Sequence, residues 1–247
     1  MDQSDRQDVQ KPMILCLGDS VTRGVSYVRD KWRLISPTYP EWLETILQTQ
    51  HVDVINKGRF NATSSDVLRR IDKDIAPQPA QLVLLEIGAN DSDMPWGEVA
   101  AQPEEDFQPR VPLDQFVQNM QQIIDQLQQL GKRVVLLSLP PIDPRRYYEF
   151  LAKKYSRAIA HWIGRCGGIF WWQEQYNQAL KDLAEERRTP WVDIRHLASQ
   201  TLPLEQLLSE DGIHPTPAGY HALAQFIGQA LMFHRLLPET NGLSCEG

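Results

Sequence analysis

The chain lacks most of the features that settle a fold or a partner on their own. Cysteine occurs only at Cys16, Cys166 and Cys245, too few for a fold built on disulfides, so a reducing compartment is the simpler setting. Cys16 lies in the apolar run Met-Ile-Leu-Cys-Leu and reads as a small buried hydrophobe. No apolar run approaches the ~20 residues that cross a bilayer. The first residues, MDQSDRQDVQKP, are polar and carry no secretion-type apolar core. The expectation is a cytoplasmic protein with no membrane insertion. Basic charge is also short: 25 Lys and Arg stand against 32 Asp and Glu, a formal net charge of −7. That balance opposes the cationic surface nucleic acid requires, and no nucleic-acid partner is expected. Arg145-Arg146, Lys153-Lys154 and Arg187-Arg188 are short pairs that read as solvated helix faces. Zinc spacings of the Cys-x-x-Cys or His-Glu-x-x-His kind are missing, as are Gly-x-Gly-x-x-Gly and Walker motifs.

What is present is an ordinary globular composition, 42% hydrophobic over 247 residues. Short runs rich in branched residues recur at Met13–Leu17, Val52–Ile55, Leu82–Ile87, Val134–Leu139 and Trp191–Ile194. Amphipathic segments lie between them at Glu41–Gln48, Ser64–Ile71, Leu113–Leu130, Gln173–Glu186 and Pro217–Leu231. The alternation predicts a flavodoxin-like α/β/α sandwich of three layers, with a five-stranded, mostly parallel sheet. Two stretches interrupt the rhythm. Ser92–Pro112, rich in Pro and acidic residues, reads as a long loop, and Pro140–Trp172 reads as a helical insertion. With no repeat or clear linker, the expected organisation is a polar tail over 1–12, one domain over 13–235 with insertions near 92–112 and 140–172, and a C-terminal tail over 236–247.

Four short blocks carry chemistry. The first strand runs into Gly18-Asp19-Ser20, which sets a serine at the sheet edge where such folds bind ligands. Serine is a weak nucleophile without an adjacent base. Near the other end, Asp211-Gly212-Ile213-His214 offers one, because a carboxylate three residues before a histidine can hold Nδ1 and leave Nε2 for a hydroxyl. An Asp/His turn that merely caps the last helix is the plainer alternative for that pair alone. Oxyanion donors could come from the Asn90 amide in Gly88-Ala89-Asn90-Asp91 and from the turn at Asn56-Lys57-Gly58. Asp19 and Asp91 read as turn-fixing residues, and His221 as a surface or core-edge histidine. Trp171-Trp172 and Tyr147-Tyr148 could line a pocket or simply pack the insertion.

Together the four blocks, in this order and across nearly the whole chain, resemble the SGNH/GDSL hydrolases. The resemblance implies the SGNH hydrolase fold and a serine esterase in which Ser20 is the nucleophile, His214 the base and Asp211 its orienter. The oxyanion hole would comprise the Ser20 and Gly58 N–H groups and the Asn90 side chain. It implies carboxylic esters as substrates, small acyl or O-acetyl esters first, with no metal and no cofactor. One departure is Asn61, where many relatives carry a second glycine; Asn tolerates positive φ next best. An acyltransferase on the same site is a close alternative. A nucleotide- or anion-binding module and a metal hydrolase using Asp19, Asp91, Asp93 and His214 are more distant ones. Oligomeric state is not legible in the sequence.

Overall fold

Strand β1 (Met13–Gly18) is apolar throughout and leads into a single-turn helix, α1 (Ser20–Arg23). The computed structural model describes residues 11–197 and 202–238. Cys245 and most of both expected tails lie outside those residues. After α1 comes an antiparallel hairpin, β2 (Val25–Val28) and β3 (Lys31–Leu34). Then follow α2 (Tyr39–Ile46), β4 (Asp53–Asn56), α3 (Ser64–Arg70), β5 (Leu82–Glu86), α4 (Trp96–Ala101) and α5 (Leu113–Gln129). The second half holds β6 (Arg133–Leu137), α6 (Pro144–Lys154), α7 (Ile159–Arg165), α8 (Trp171–Arg187), β7 (Trp191–Val192), α9 (Leu204–Leu207) and α10 (Pro217–Phe233).

Strands β4-β1-β5-β6-β7 form one parallel sheet in that order. The chain order reverses between β1 and β5, and the crevice at such a switch point is where an open α/β sheet binds its ligand. The two-residue period of a strand divides β1 between two cores. Leu15 and Leu17 face α3, α5 and α8, with Phe116, Ile123, Ile124 and Tyr176. Ile14 and Cys16 face α2 and α10, with Tyr39, Leu43, Tyr220 and Ile227. Burial pushes the Cys16 thiol up to about 12, as suits a packing residue. A third cluster sits over the sheet edge, where Met94, Trp96 and Val99 meet Tyr147, Leu151, Ile159 and Trp162 of the insertion.

Local chemistry accounts for the helix boundaries. Thr38 with Glu41 and Thr63 with Asp66 form capping boxes at the starts of α2 and α3, and Thr216 caps α10 just before Pro217. Two expectations are corrected. The 92–112 stretch is not all loop, because Trp96 and Val99 bury one face of the short helix α4. The hairpin of β2 and β3 was not foreseen: Lys-Trp-Arg-Leu alternates polar and apolar residues, but over only four positions, and all four are exposed. The expected last strand also ends early: after Val192 the chain turns at Asp193, whose side chain accepts from the Arg195 N–H.

Phe116 is wholly buried beneath the active edge, whereas Trp171 is 46% exposed. Phe116→Ala is expected to cost about 3–5 kcal/mol of stability. Trp171→Ala should change it by no more than about 0.5 kcal/mol. Urea titration of the two variants checks the contrast.

Candidate active site

The turn that presents Ser20 begins with a close approach. A Cβ on Gly18 would collide with Thr22 Oγ1 and the Glu86 carbonyl, so β1 can lie flush against β5 only with glycine there. Asp19 then caps α1, its Oδ1 accepting from the Val21 N–H at 2.9 Å. Ser20 is the first residue of that helix, so its own N–H has no intrahelical acceptor. Beneath the turn, Glu86 is fully buried at the end of β5, its Oε2 accepting from Thr22 Oγ1 at 3.1 Å. Burial, and then the neighbouring Asp19 charge, push the Glu86 carboxyl well above the usual range. Asp19 is itself raised by burial, against the opposing pull of the Val21 N–H and the His214 charge. Burial therefore disfavours the charged form of both carboxyls, Glu86 the more strongly.

From the far end of the chain, the loop after α9 brings Asp211 and His214 to the same place. Gly212 has φ 76°, and a Cβ there would meet the Tyr147 N at 2.6 Å and the Asp143 O at 2.8 Å, so only glycine lets this loop seat against the start of α6. Asp211 Oδ2 lies 2.6 Å from His214 Nδ1. Its Oδ1 accepts from Ser209 Oγ and from the Ile213 and His214 N–H groups at 3.0–3.2 Å. Burial lifts this carboxyl, but the hydrogen bond and charge of His214, helped by those N–H groups, outweigh it and hold Asp211 below the usual carboxylate range. An ionised Asp211 fixes the proton on Nδ1. That leaves Nε2 as acceptor for Ser20 Oγ, 2.9 Å away. A hydroxyl, an imidazole and a carboxylate in such a chain can release the hydroxyl proton as the oxygen attacks.

The remaining sequence candidates divide. Asn90 follows Gly88, which has φ 133°, and its Nδ2 donates to Asp19 Oδ2 at 3.2 Å and to the Ala62 carbonyl at 3.0 Å. Gly58 stands apart from the cavity that Ser20 lines. Its N–H donates to Asn56 Oδ1 at 2.9 Å, and its missing Cβ lets the loop lie against the Thr22-Arg23 backbone. Asn61 takes φ 61° and accepts from Arg110 at 2.7 Å. Asp91, expected to fix its own turn, instead holds the start of α3, accepting from the Ser64 N–H and hydroxyl, and burial pushes its carboxyl up to about 6. His221 packs edge-on against Trp42. Among the described residues, no three His, Cys, Asp or Glu side chains gather as a metal site. No helix there is long and apolar enough to cross a membrane.

Ser20, Asn90 and His214 share a cavity of about 90 Å³, well below the ~300–1,000 Å³ typical of sites for drug-sized ligands. Its walls include Met94, Trp96, Ile142, Tyr147, Ile169 and Trp172. Of the paired aromatics, Tyr147 and Trp172 line it and Tyr148 and Trp171 do not. Trp96 and Ser209 are site residues that the sequence did not single out, and Asp93 entered there only as a candidate metal ligand. The Asp93 to Trp96 spacing of three was the available signal, while Ser209 could be placed only by its contact with Asp211.

The chain has known relatives. It is 27% identical over 221 residues to GDSL esterase/lipase CPRD49 of Arabidopsis thaliana, covering 87% of this chain and 76% of that protein. It is 24% identical over 233 residues to an acetylxylan esterase of Geobacillus stearothermophilus, covering 86% of this chain and 90% of that one. The lipase/acylhydrolase from Enterococcus faecalis shares the fold, with TM-score 0.64, 18% identity, and coverage of 94% of this chain and 100% of that one. The profile of the GDSL-like lipase/acylhydrolase family matches residues 16–222, most of the chain, and the protein is therefore a hydrolase belonging to that family.

Proposed function

We propose that the protein is a serine esterase acting through an acyl-enzyme on Ser20, with small esters as substrates. The observation that carries this reading is the unbroken relay from Asp211 through His214 to Ser20 Oγ, opening on one small, largely apolar cavity. Ser20 Oγ attacks the ester carbonyl as His214 Nε2 takes its proton, and the imidazolium returns that proton to the leaving alkoxide. Water, activated by the same nitrogen, then releases the acid. The Ser20 N–H and the Asn90 amide are the donors for the oxyanion, the carbonyl oxygen competing with Ala62 or Asp19 for the Asn90 protons. Gly58 is left out of the hole because Asn56 already holds its N–H.

The modest cavity favours short acyl groups over long chains, and the name of the acetylxylan esterase relative points the same way. The buried Cys16 thiol suits a reducing compartment such as the cytoplasm.

Ser20→Ala should lower ester turnover by several orders of magnitude while leaving the thermal midpoint near wild type, and a fluorophosphonate should label Ser20 alone. Near-normal turnover in purified Ser20→Ala would defeat the assignment. Asn90→Ala should cost roughly 2.7–4 kcal/mol of transition-state stabilisation, seen mainly in kcat, because the oxyanion charge develops only after binding. A rise in KM with kcat unchanged would make Asn90 a substrate-positioning residue instead.

The pH profile tests the base. Activity needs a neutral imidazole, so kcat/KM should fall on the acidic side while the protein stays folded. Asp211 is held below the usual carboxylate range, so it remains ionised through that limb. Asp211→Asn removes the charge that favours the imidazolium, and it should move the acidic limb to lower pH and cut turnover by about ten-thousandfold through the wrong tautomer. Circular dichroism recorded at each pH separates loss of the base from loss of the fold; a limb that tracks unfolding counts against His214.

A further inference from the structure

Inside the cavity, two polar groups are not used by the chemistry above: the indole N–H of Trp172, buried without a partner among the described residues, and the carboxylate of Asp93. Ser92 donates its hydroxyl to the Ala89 carbonyl at 3.0 Å. Gln173 is engaged at both ends, with Pro140 and with Arg195. Asp93 also lines the wall, and its Oδ1 takes two donors at once, Trp96 Nε1 at 2.7 Å and Tyr147 Oη at 2.9 Å. Trp96 and Tyr147 are buried and meet edge to face at 6.3 Å, so both donors are held in place and set the plane of the carboxylate. Among the described residues, no side-chain donor reaches Oδ2. Burial raises the Asp93 carboxyl, but Tyr147, Trp96, the Met94 N–H and Arg110 each pull it back towards the ionised form. The result is a rigid, half-buried acceptor in the same cavity as Ser20, with one oxygen that no side-chain donor occupies.

The cavity lining contains Asp19 and Asp93 and no Lys or Arg, so it disfavours anionic esters. Trp96 and Tyr147 give their polar edges to Asp93, whose Oδ2 remains as an acceptor for a neutral donor. We propose that Asp93 is a substrate-binding residue that accepts a hydrogen bond from a hydroxyl on the alcohol part of the ester. The substrates are then uncharged esters with a free hydroxyl close to the scissile bond, as in partly acylated polyols and sugars. This rests on the Ser20 esterase reading.

Four acetates test it on purified wild type, Asp93→Asn and Ser20→Ala: 2-hydroxyethyl, propyl, 2-methoxyethyl and choline. A hydrogen bond to a charged acceptor makes wild type favour the hydroxyethyl ester over the propyl and methoxyethyl esters by about tenfold or more in kcat/KM. Asp93→Asn can still accept from Trp96 and Tyr147, so it folds. It presents an N–H where the carboxylate was, so the hydroxyethyl to methoxyethyl ratio should fall by at least about tenfold. Equal rates on the three neutral esters overturn the proposal. So does an Asp93→Asn loss that is uniform across them and accompanied by a lowered melting point, which makes Asp93 structural only. A wild-type preference for the choline ester that disappears in Asp93→Asn also overturns it, in favour of a cation. The two readings fail differently. Hydrolysis that survives Ser20→Ala, or no hydrolysis at all, removes the esterase reading and this proposal with it. Hydrolysis lost in Ser20→Ala but blind to the hydroxyl removes this proposal alone.

Discussion

Everything at the active edge depends on one buried contact between two acids. Asp19 and Glu86 meet where β1 and β5 end side by side, and the absence of a Cβ on Gly18 lets the two strand ends come that close. Buried together, they form a unit that reaches in every direction needed. Asp19 holds the first turn of α1 through Val21 and the Asn90 amide through Oδ2, while Glu86 holds Thr22, which in turn meets Tyr39 on α2. The serine and its proposed oxyanion donor are thus fixed by the same anion. A charge this dry would be a liability in a core, but here its partners are spread over two strands, a helix and a loop, so placing it correctly places them all.

The molecule separates chemistry from selectivity by building them on different hydrophobic clusters. Both sheet cores run the length of the strands and set the positions of Ser20, Asn90 and the last helix. The third cluster lies outside them, between α4 and the helices of the insertion, and supplies most of the apolar cavity wall. The wall that a substrate would meet therefore belongs to a cluster of its own, apart from the two cores that carry the sheet. This is the usual arrangement when one scaffold serves many substrates.

Much of this was legible in the sequence because the decisive signals are local. Strand β1 announces itself by a continuous apolar run, α5 by Phe116, Met120, Ile123 and Leu127 at helical spacing, and Asp211 and His214 by standing three apart in a glycine turn. What was not legible rests on contacts between distant segments or on competition for one hydrogen. The Asn56 side chain claims the Gly58 N–H two residues on, the habit of Asn in turns, so a glycine in the right place is not a free donor. Asp93 draws its second partner from Tyr147, 54 residues away on the insertion, and no spacing in the chain records that. The hairpin of β2 and β3 was missed because the alternation of Lys31 to Leu34 is too short to stand out and its turn takes positive φ at Arg29 and Asp30, where Asn-Gly would have signalled it.

Gly212 links these two halves mechanically. Its carbonyl accepts from the Asp143 N–H at 2.8 Å, and its Cα sits on the backbone of Asp143 and Tyr147, so the loop bearing Asp211 and His214 is clamped to the first turn of α6. That helix also carries the cavity wall. Sliding α6 outward to widen the cavity would pull the imidazole away from the serine. Side chains on α4 and around Ile169 and Trp172 can be exchanged in place, whereas the angle of α6 cannot change without moving Asp211 and His214.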